Sequence, residues 1–206
     1  MIERNIHMCW FGNKKISNKN IENVEICKKI NKNFNFKLWN EDIFNEENFY
    51  NNYVEYCLKN NKYANLSNYA RIYLIKKFGG IYLDIDVKCI KSFENLLLKF
   101  ENKFENIYAF ESPNNCDYIN NAIFVGKKEN EFIKLAYKEF LNKFNGEEPA
   151  NISSPHFITE LIKTNLFKNV LVVKRDYFYP YYFNEEFNDN CITENTFCIH
   201  QWDKGW

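Results

Sequence analysis

A helical pattern that runs directly into a strand ending in two carboxylates constrains the fold of this chain more than any other feature. Residues 65–87 read NLSNYARIYLIKKFGGIYLDIDV, with apolar residues at helical spacing as far as a Gly-Gly pair. Glycine readily takes the positive φ angles that end a helix, and the apolar run after the pair predicts a buried strand. The strand delivers Asp84 and Asp86. A helix joined this closely to a strand favours a layered α/β architecture.

The rest of the chain continues the alternation of strands and helices. Apolar runs predict strands at residues 6–11, 36–39, 81–83, 107–110, 122–125 and 170–173, and helical patterns cover 17–32, 54–60, 66–78, 129–144 and 157–166. This order indicates an α/β fold with a mostly parallel central sheet flanked by helices, in one domain over residues 1–206. Such sheets bind ligands at the carboxyl ends of their strands, where Asp84 and Asp86 are expected.

Composition narrows the function classes. The 27 Lys and Arg residues balance the 27 Asp and Glu residues, so no overall field attracts nucleic acid. The seven cysteines are scattered without a C-x-x-C pair, which favours free thiols in a reducing cytoplasm over a disulfide framework. No run approaches the about 20 apolar residues of a membrane span. The expected location is therefore the cytoplasm, with at most a peripheral contact at the inner face of the membrane.

Asp84 and Asp86 are the first candidates for chemistry. If the strand stayed regular, both would share one face with Tyr82, which is therefore predicted to be a further residue of the binding site. Carboxylates this close repel each other unless a cation lies between them. Hard divalent cations such as Mg²⁺ are usually held by one or two carboxylates together with substrate phosphates. The pair predicts a metal–diphosphate site, and a solvated strand end is the alternative.

Other candidates flank the two carboxylates in the sequence. Asn68 and Arg71 lie on one face of the preceding helix, where a guanidinium can clamp a phosphate or a sugar hydroxyl. Trp10 lies at the end of the first predicted strand and can stack on a nucleobase or fill the core. Near the C-terminus, His200 can complete a metal shell, and an indole N–H of Trp202 or Trp206 can donate to phosphate. Aromatic packing of a terminal segment is the alternative for these three residues.

Two other phosphate chemistries are disfavoured. The chain has no G-x-x-x-x-G-K-[ST] loop and no G-x-G-x-x-G, so P-loop and Rossmann sites are not expected. Phosphatases of the haloacid dehalogenase type also use a strand-end D-x-D, but they have Thr or Val two residues after the second Asp. This chain has Lys88 there.

With these residues in place, the chain resembles the glycosyltransferases with a DXD sugar-binding region. That family occurs in capsular and lipopolysaccharide synthesis and among fungal mannosyltransferases, and is distantly related to the catalytic domains of glucosylating toxins. The matching segments are IHMCWFG (6–12), LWNED (38–42), KYANLSNYARIYLIKKFGGIYLDIDV (62–87), NNAIFVGKKEN (120–130) and ITENTFCIHQWDKGW (192–206). They keep the family's order over nearly the whole chain.

The resemblance implies a GT-A fold, a nucleotide-diphosphate sugar as donor with a UDP-sugar expected, and Mn²⁺ or Mg²⁺. It implies transfer with retention at the anomeric carbon to a glycan or lipid-linked saccharide acceptor, as in capsule or lipopolysaccharide synthesis. Carried over by residue, the resemblance implies that Trp10 stacks on the base and that Trp206 reaches the diphosphate. Asp84 would contact the ribose and the donor sugar, and Arg71 and Asn121 would lie near that sugar. Asp86 and His200 would lie at the metal. The catalytic residues are predicted to be Arg71, Asp84, Asp86 and Asn121.

One position departs from the family. Ser-Asp usually precedes Tyr-Ala-Arg, and this chain has Ser67-Asn68, whose amide can both donate and accept but carries no charge. Asn68 makes a catalytically weak nucleotide-sugar-binding protein the first alternative to a working transferase, and the alternative enzyme is a metal-dependent nucleotide-sugar hydrolase. No motif supplies a carboxylate nucleophile behind the anomeric carbon, so front-face attack is the expected retaining route, and a covalent intermediate stays open. Oligomeric state cannot be read from these patterns.

Overall fold

A computed structural model describes residues 1–113, 118–164 and 167–203. The strands are β1 (Asn5–Cys9), β2 (Asn35–Trp39), β3 (Gly80–Leu83), β4 (Val87–Cys89), β5 (Asn106–Phe110), β6 (Ile119–Gly126), β7 (Val170–Val173) and β8 (Cys198–His200). The α-helices are α1 (Asn18–Ile30), α2 (Asn52–Lys59), α3 (Tyr63–Phe78), α4 (Phe93–Phe100), α5 (Glu131–Lys143) and α6 (Phe157–Thr164). A π-helical turn, Ile152–His156, leads into α6.

Six strands form the central sheet, in the order β2-β1-β3-β6-β5-β7. Five of them run in one direction, and β6 runs against its neighbours β3 and β5. The predicted α/β architecture with a mostly parallel sheet is confirmed. Because β6 is reversed, its first residues meet the carboxyl ends of β1 and β3 at the same edge of the sheet. That edge receives Trp10, Asp84 and Asn120.

Alternate residues of β3 enter two apolar clusters. Tyr82 packs in the cluster that contains residues of α2, α3, α5 and α6. Ile81 and Leu83 pack in the second cluster, with residues of α1 and α4. The period of two along a strand sends neighbouring side chains to opposite faces, so the sheet is covered by helices on both faces. None of the described helices combines the length and apolarity that a membrane span requires.

Three elements lie where the sequence predicted none. Helix α4 begins at Phe93, where the side chain of Ser92 caps it by accepting a hydrogen bond from Glu94 N. Strands β4 and β8 form a separate antiparallel pair that joins His200 to Val87. The tail from residue 184 was expected to be loop-like. Strand β8 has three residues, too few for a periodic signal, and its partner lies more than 100 positions away.

Candidate active site

The Gly79-Gly80 turn joins α3 to β3 and thereby positions the two carboxylates. Gly79 has φ of 65° and Gly80 has φ of 106°, values that L side chains rarely adopt. A Cβ atom on Gly80 would also collide with the backbone oxygen of Asn5. Glycine therefore allows β3 to start immediately after the helix and to lie beside β1.

The strand does not stay regular through both carboxylates, which corrects one expectation. β3 ends at Leu83, and a tight turn follows in which Val87 N donates to Asp84 O at 3.1 Å. Asp84 still pairs with β6, because its backbone N donates to Ala122 O at 2.8 Å. The turn, rather than the pleat of a strand, brings Asp86 round to the side of Asp84.

Arg71 holds the first carboxylate from the preceding helix. Its Nη2 donates to Asp84 Oδ1 at 2.9 Å, and the hydroxyl of Tyr82 donates to the same oxygen at 3.0 Å. The guanidinium lies 4.9 Å from the centre of the Tyr82 ring and is buried. Burial raises the pKa of Asp84, Arg71 opposes the rise, and Asp86 adds to it. The arrangement orients Asp84 and leaves Oδ2 without a protein hydrogen bond among the described residues.

His200 and Asp203 hold the second carboxylate. Asp86 Oδ1 lies 3.3 Å from His200 Nε2, and Asp203 N donates to Asp86 Oδ2 at 2.8 Å. Burial would raise the pKa of Asp86, but His200 brings it below its ordinary value. Burial would lower the pKa of His200, but Asp86 brings it above its ordinary value. The pair is therefore stabilised in its charged form.

The residues present fit a divalent cation. Asp84, Asp86 and His200 each offer a ligand atom, and these atoms all lie within 4.8 Å of one another. His200 Nδ1 is buried and has no hydrogen-bond partner. When the ring is neutral, as metal binding requires, and Nε2 donates to Asp86, Nδ1 carries a free lone pair. Carboxylates suit Mg²⁺ and Mn²⁺, and an imidazole nitrogen is a common ligand of transition metals.

A cavity of about 440 Å³ opens beside these residues. Six of the predicted site residues line it together: Trp10, Asn68, Arg71, Asp84, Asp86 and His200. The indole of Trp10 is 8% exposed and belongs to the second apolar cluster, and its Nε1 donates to Lys14 O at 2.7 Å. Trp10 therefore faces both the core and the cavity.

Two predicted residues lie behind the cavity wall, and a third lies outside the described residues. Tyr82 is fully buried under Arg71, and Asn121 is also fully buried. Asn121 Oδ1 accepts from Ser154 Oγ at 2.6 Å and from Arg71 Nη1 at 3.3 Å, while its Nδ2 has no partner. Both residues support Arg71. Trp206, predicted at the diphosphate, belongs to residues 204–206, which the structure does not describe.

The sequence did not predict several lining residues. Asn20 of α1 and Asn120 of β6 line the cavity, as does Trp202 of the tail, one of the two indoles considered for the phosphate. So do Ala150, Asn151, Ser154 and Pro155, in a segment that was expected to be a loop. No spacing links these positions to the carboxylates, because the tertiary structure brings them there. The prolines at both ends of residues 149–155 were the local signals, and they indicated a loop.

The sequence comparisons relate this chain to glycosyltransferases. Residues 17–105 match the family model described as "Glycosyltransferase sugar-binding region containing DXD motif". "Uncharacterized glycosyltransferase L373" of Acanthamoeba polyphaga mimivirus is 29% identical over 194 residues, which cover 87% of this chain and 74% of the relative. "Lactosylceramide 4-alpha-galactosyltransferase" of Homo sapiens is 27% identical over 160 residues, which cover 68% of this chain and 41% of that protein.

Solved structures share the fold. The "PaToxG Glycosyltransferase" superimposes with a TM-score of 0.66 at 22% identity, covering 80% of this chain and 70% of that chain. A glycosyltransferase involved in the glycosylation of the major capsid of PBCV-1 has a TM-score of 0.53 at 12% identity, covering 96% of this chain and 94% of the other. The GT-A fold expected from the resemblance is confirmed. The chain thus contains a segment that matches the DXD sugar-binding region of glycosyltransferases, and it is similar to a glycosyltransferase over most of its length.

Proposed function

We propose that the protein is a metal-dependent, retaining glycosyltransferase. It moves a sugar from a nucleotide-diphosphate sugar, with a UDP-sugar as the expected donor, to a glycan or lipid-linked saccharide acceptor of the capsule or lipopolysaccharide type. The observation that carries the proposal is the convergence of Asp84, Asp86 and His200 within 4.8 Å, beside a cavity that the buried Arg71 also lines. A cation-binding set beside a fixed guanidinium is suited to a diphosphate.

Asp84, Asp86 and His200 would hold Mn²⁺ or Mg²⁺. When bound, the ion would supply Lewis-acid neutralisation of the diphosphate leaving group. The protein's own part is to keep the ligand atoms in place before the donor arrives. The backbone N–H of Asp203 and the guanidinium of Arg71 orient the two carboxylates, so little rearrangement is needed at the moment of transfer.

Arg71 has a second task in the proposed mechanism. Its guanidinium is 4% exposed and cannot be deprotonated. It donates to Asp84 and, at 3.0 Å, to Asn121 O, and these two hydrogen bonds fix the plane of the guanidinium at the cavity wall. A fixed positive charge there favours the transition state as negative charge builds on the leaving group. Trp10, at another part of the wall, is placed to stack on the base.

The test is donor binding and turnover in one assay series. Nucleotide sugars are added with Mn²⁺, and both the melting temperature and released nucleotide diphosphate are measured, with and without saccharide acceptors. A ligand that binds the native state raises its stability. Acceptor-dependent release supports the transferase, release that no acceptor increases identifies the hydrolase, and binding without release identifies the nucleotide-sugar-binding protein.

Asp86→Ala and Asp42→Ala form a matched pair for that series. Asp86 is buried in the cavity wall, whereas Asp42 is exposed and outside the lining. Asp86→Ala is expected to abolish the part of nucleotide binding that depends on Mn²⁺, and Asp42→Ala to keep it. Equal Mn²⁺-dependent binding by both variants would contradict the metal assignment.

A further inference from the structure

The segment of residues 150–154 forms one wall of the cavity and is tied to α3 through Asn68. Asn68 is 3% exposed. Its Nδ2 donates to Ala150 O at 2.8 Å and to Ser153 Oγ at 3.2 Å. A backbone carbonyl can only accept a hydrogen bond, so the nitrogen of this amide must face the segment. The oxygen Oδ1 is the atom of Asn68 that stays available to a ligand.

A second attachment holds the same segment against the catalytic residues. Ser154 Oγ donates to Asn121 Oδ1 at 2.6 Å, and Arg71 Nη1 lies 3.5 Å from the same hydroxyl. The segment then passes into the π-helical turn Ile152–His156, a rare conformation that occurs frequently at functional sites. Asn68 and Arg71, three residues apart on one helix, thus hold successive parts of the wall.

The position of this wall suggests what it contacts. In the proposed donor orientation the base lies at Trp10 and the diphosphate lies at Asp86 and His200. Asn20, Asn120 and Asp203 are further polar residues of the lining, and beside Arg71 the lining is formed by Asn68, Ala150, Asn151 and Ser154. The transferred sugar would lie there, beside the fork of Arg71.

Resting on that function, we propose that Asn68 is a positioning residue that fixes residues 150–154 as the wall selecting the donor sugar. An aspartate at this position would direct a carboxylate oxygen at the carbonyl of Ala150, and two acceptors cannot share a hydrogen bond. Of the two groups that Asn68 contacts in this segment, only the hydroxyl of Ser153 could donate to the buried charge. The segment would have to move or the acid would have to stay protonated. An asparagine at position 68 can therefore donate to this wall, whereas an ionised aspartate cannot. Exchanging Asn68 for the family's aspartate is expected to change the shape of the sugar subsite.

Asn68→Asp tests the proposal, and Asn65→Asp is its matched control. Asn65 lies one turn earlier on α3, is 5% exposed, and donates to Glu148 O at 2.9 Å and to Glu148 Oε1 at 3.0 Å. Neither Asn65 nor Glu148 lines the cavity. Both variants exchange a buried amide for an acid and release part of one connection, so both lower the melting temperature. A merely structural role of Asn68 would make them equivalent in every other assay.

The measurement is the ratio of kcat/KM for two UDP-sugars drawn from UDP-glucose, UDP-galactose and UDP-N-acetylglucosamine. We expect Asn68→Asp to change this ratio at least about tenfold, and Asn65→Asp to keep it within about twofold of wild type. Hydrogen exchange in residues 150–156 is expected to quicken in Asn68→Asp. If wild type binds these donors without turnover, the ratio of dissociation constants replaces that of kcat/KM.

Ser153→Ala keeps the proposal falsifiable if Asn68→Asp does not fold. It removes one of the two acceptors of Asn68 and no charge, and a change of about threefold or more in the ratio is expected. A ratio within twofold of wild type in every folded variant overturns the inference while the proposed function stands. Failure of wild type to bind any nucleotide sugar overturns the proposed function, and it also overturns the inference that residues 150–154 select the donor sugar.

Discussion

The guanidinium of Arg71 and the carboxylate of Asp84 form an ion pair of 2.9 Å in which the Arg71 side chain is 5% exposed and the Asp84 side chain 23% exposed. The cation is thus locked in the wall, while the carboxylate keeps one edge towards the cavity. This asymmetry suits a pair in which one partner is a permanent support and the other receives a ligand. Substitution of Arg71 and substitution of Asp84 are therefore expected to have different effects.

Arg71→Met is expected to destabilise the fold as well as abolish transfer. Removing one partner of a buried pair costs about 3–5 kcal/mol, because the other charge is left uncompensated. Arg175→Met is the control, since the ion pair of Arg175 with Glu185 lies near the surface, where such pairs contribute about 0–1 kcal/mol. Urea unfolding measures the loss of stability in both variants. A loss of less than 1 kcal/mol for Arg71→Met would show that Asp84 does not depend on it.

Trp10→Ala is expected to lower both nucleotide affinity and stability, because the indole lines the cavity and packs in the core. Loss of stacking on the base costs about 1–3 kcal/mol of binding, and removal of a buried Trp about 3–5 kcal/mol of folding. Trp39→Ala is the control, since Trp39 is 3% exposed and outside the cavity lining. Titration with UDP separates the effects. Equal affinity of the two folded variants for UDP would rule out stacking by Trp10.

The tail beyond β8 is expected to become more protected when ligand binds. Strand β8 is already paired with β4, whereas residues 201–203 lie beyond that pair. Asp203 is held by Asp86 and by an ion pair with Lys19 at 2.9 Å, Gln201 by Asn23, and Trp202 by Tyr181 O and neighbouring rings. A segment outside the strand pairing that lines the site can order further around a charged ligand. Hydrogen exchange with Mn²⁺ and UDP should slow in residues 201–203 and change little in β8.

Lys19→Ala should quicken hydrogen exchange of residues 201–203 in the absence of ligand. Lys28→Ala should not, although it removes another ion pair of α1, with Glu25 at 2.8 Å. Identical exchange of the tail in these two variants and in wild type, with ligand and without it, would indicate static packing.

His7 is expected to make the fold sensitive to acid. Its Nδ1 accepts from Trp39 Nε1 at 3.1 Å and its Nε2 lies 3.1 Å from Gly79 O, which requires the neutral ring. Burial lowers its pKa from the ordinary 6.5 to about 4. Because the folded-state pKa is depressed, this stabilisation is complete above pH 6.5 and is lost as the pH falls towards 4. The full difference corresponds to about 3 kcal/mol.

His7→Gln supplies the comparison for this pH dependence. Glutamine can donate and accept at the same position but does not titrate. The free energy of unfolding of wild type should therefore fall more steeply than that of His7→Gln between pH 6.5 and 4. Parallel pH profiles of the two proteins would mean that His7 does not titrate in this range.

Near neighbours in the chain determine most of the architecture. Apolar periodicity and the Gly79-Gly80 pair predicted α3, β3 and their junction, because helix formation and helix termination depend on residues a few positions apart. The same block carries Arg71 and Asp84. Trp10 and His200 were candidates because of their residue types and positions, but no local signal connected them to the carboxylates, and only the resemblance to glycosyltransferases placed them at one site.

Tertiary structure decided how these residues meet. The β4–β8 pair, which brings His200 to Asp86, depends on two three-residue strands whose pairing has no signal of its own. From the sequence, Asn68 is expected to be a weak sugar ligand, yet its Nδ2 donates to Ala150 O, 82 positions away. Hydrophobic period and turn chemistry are encoded within one or two turns of chain, whereas a hydrogen bond between distant segments exists only after the sheet has brought them into contact.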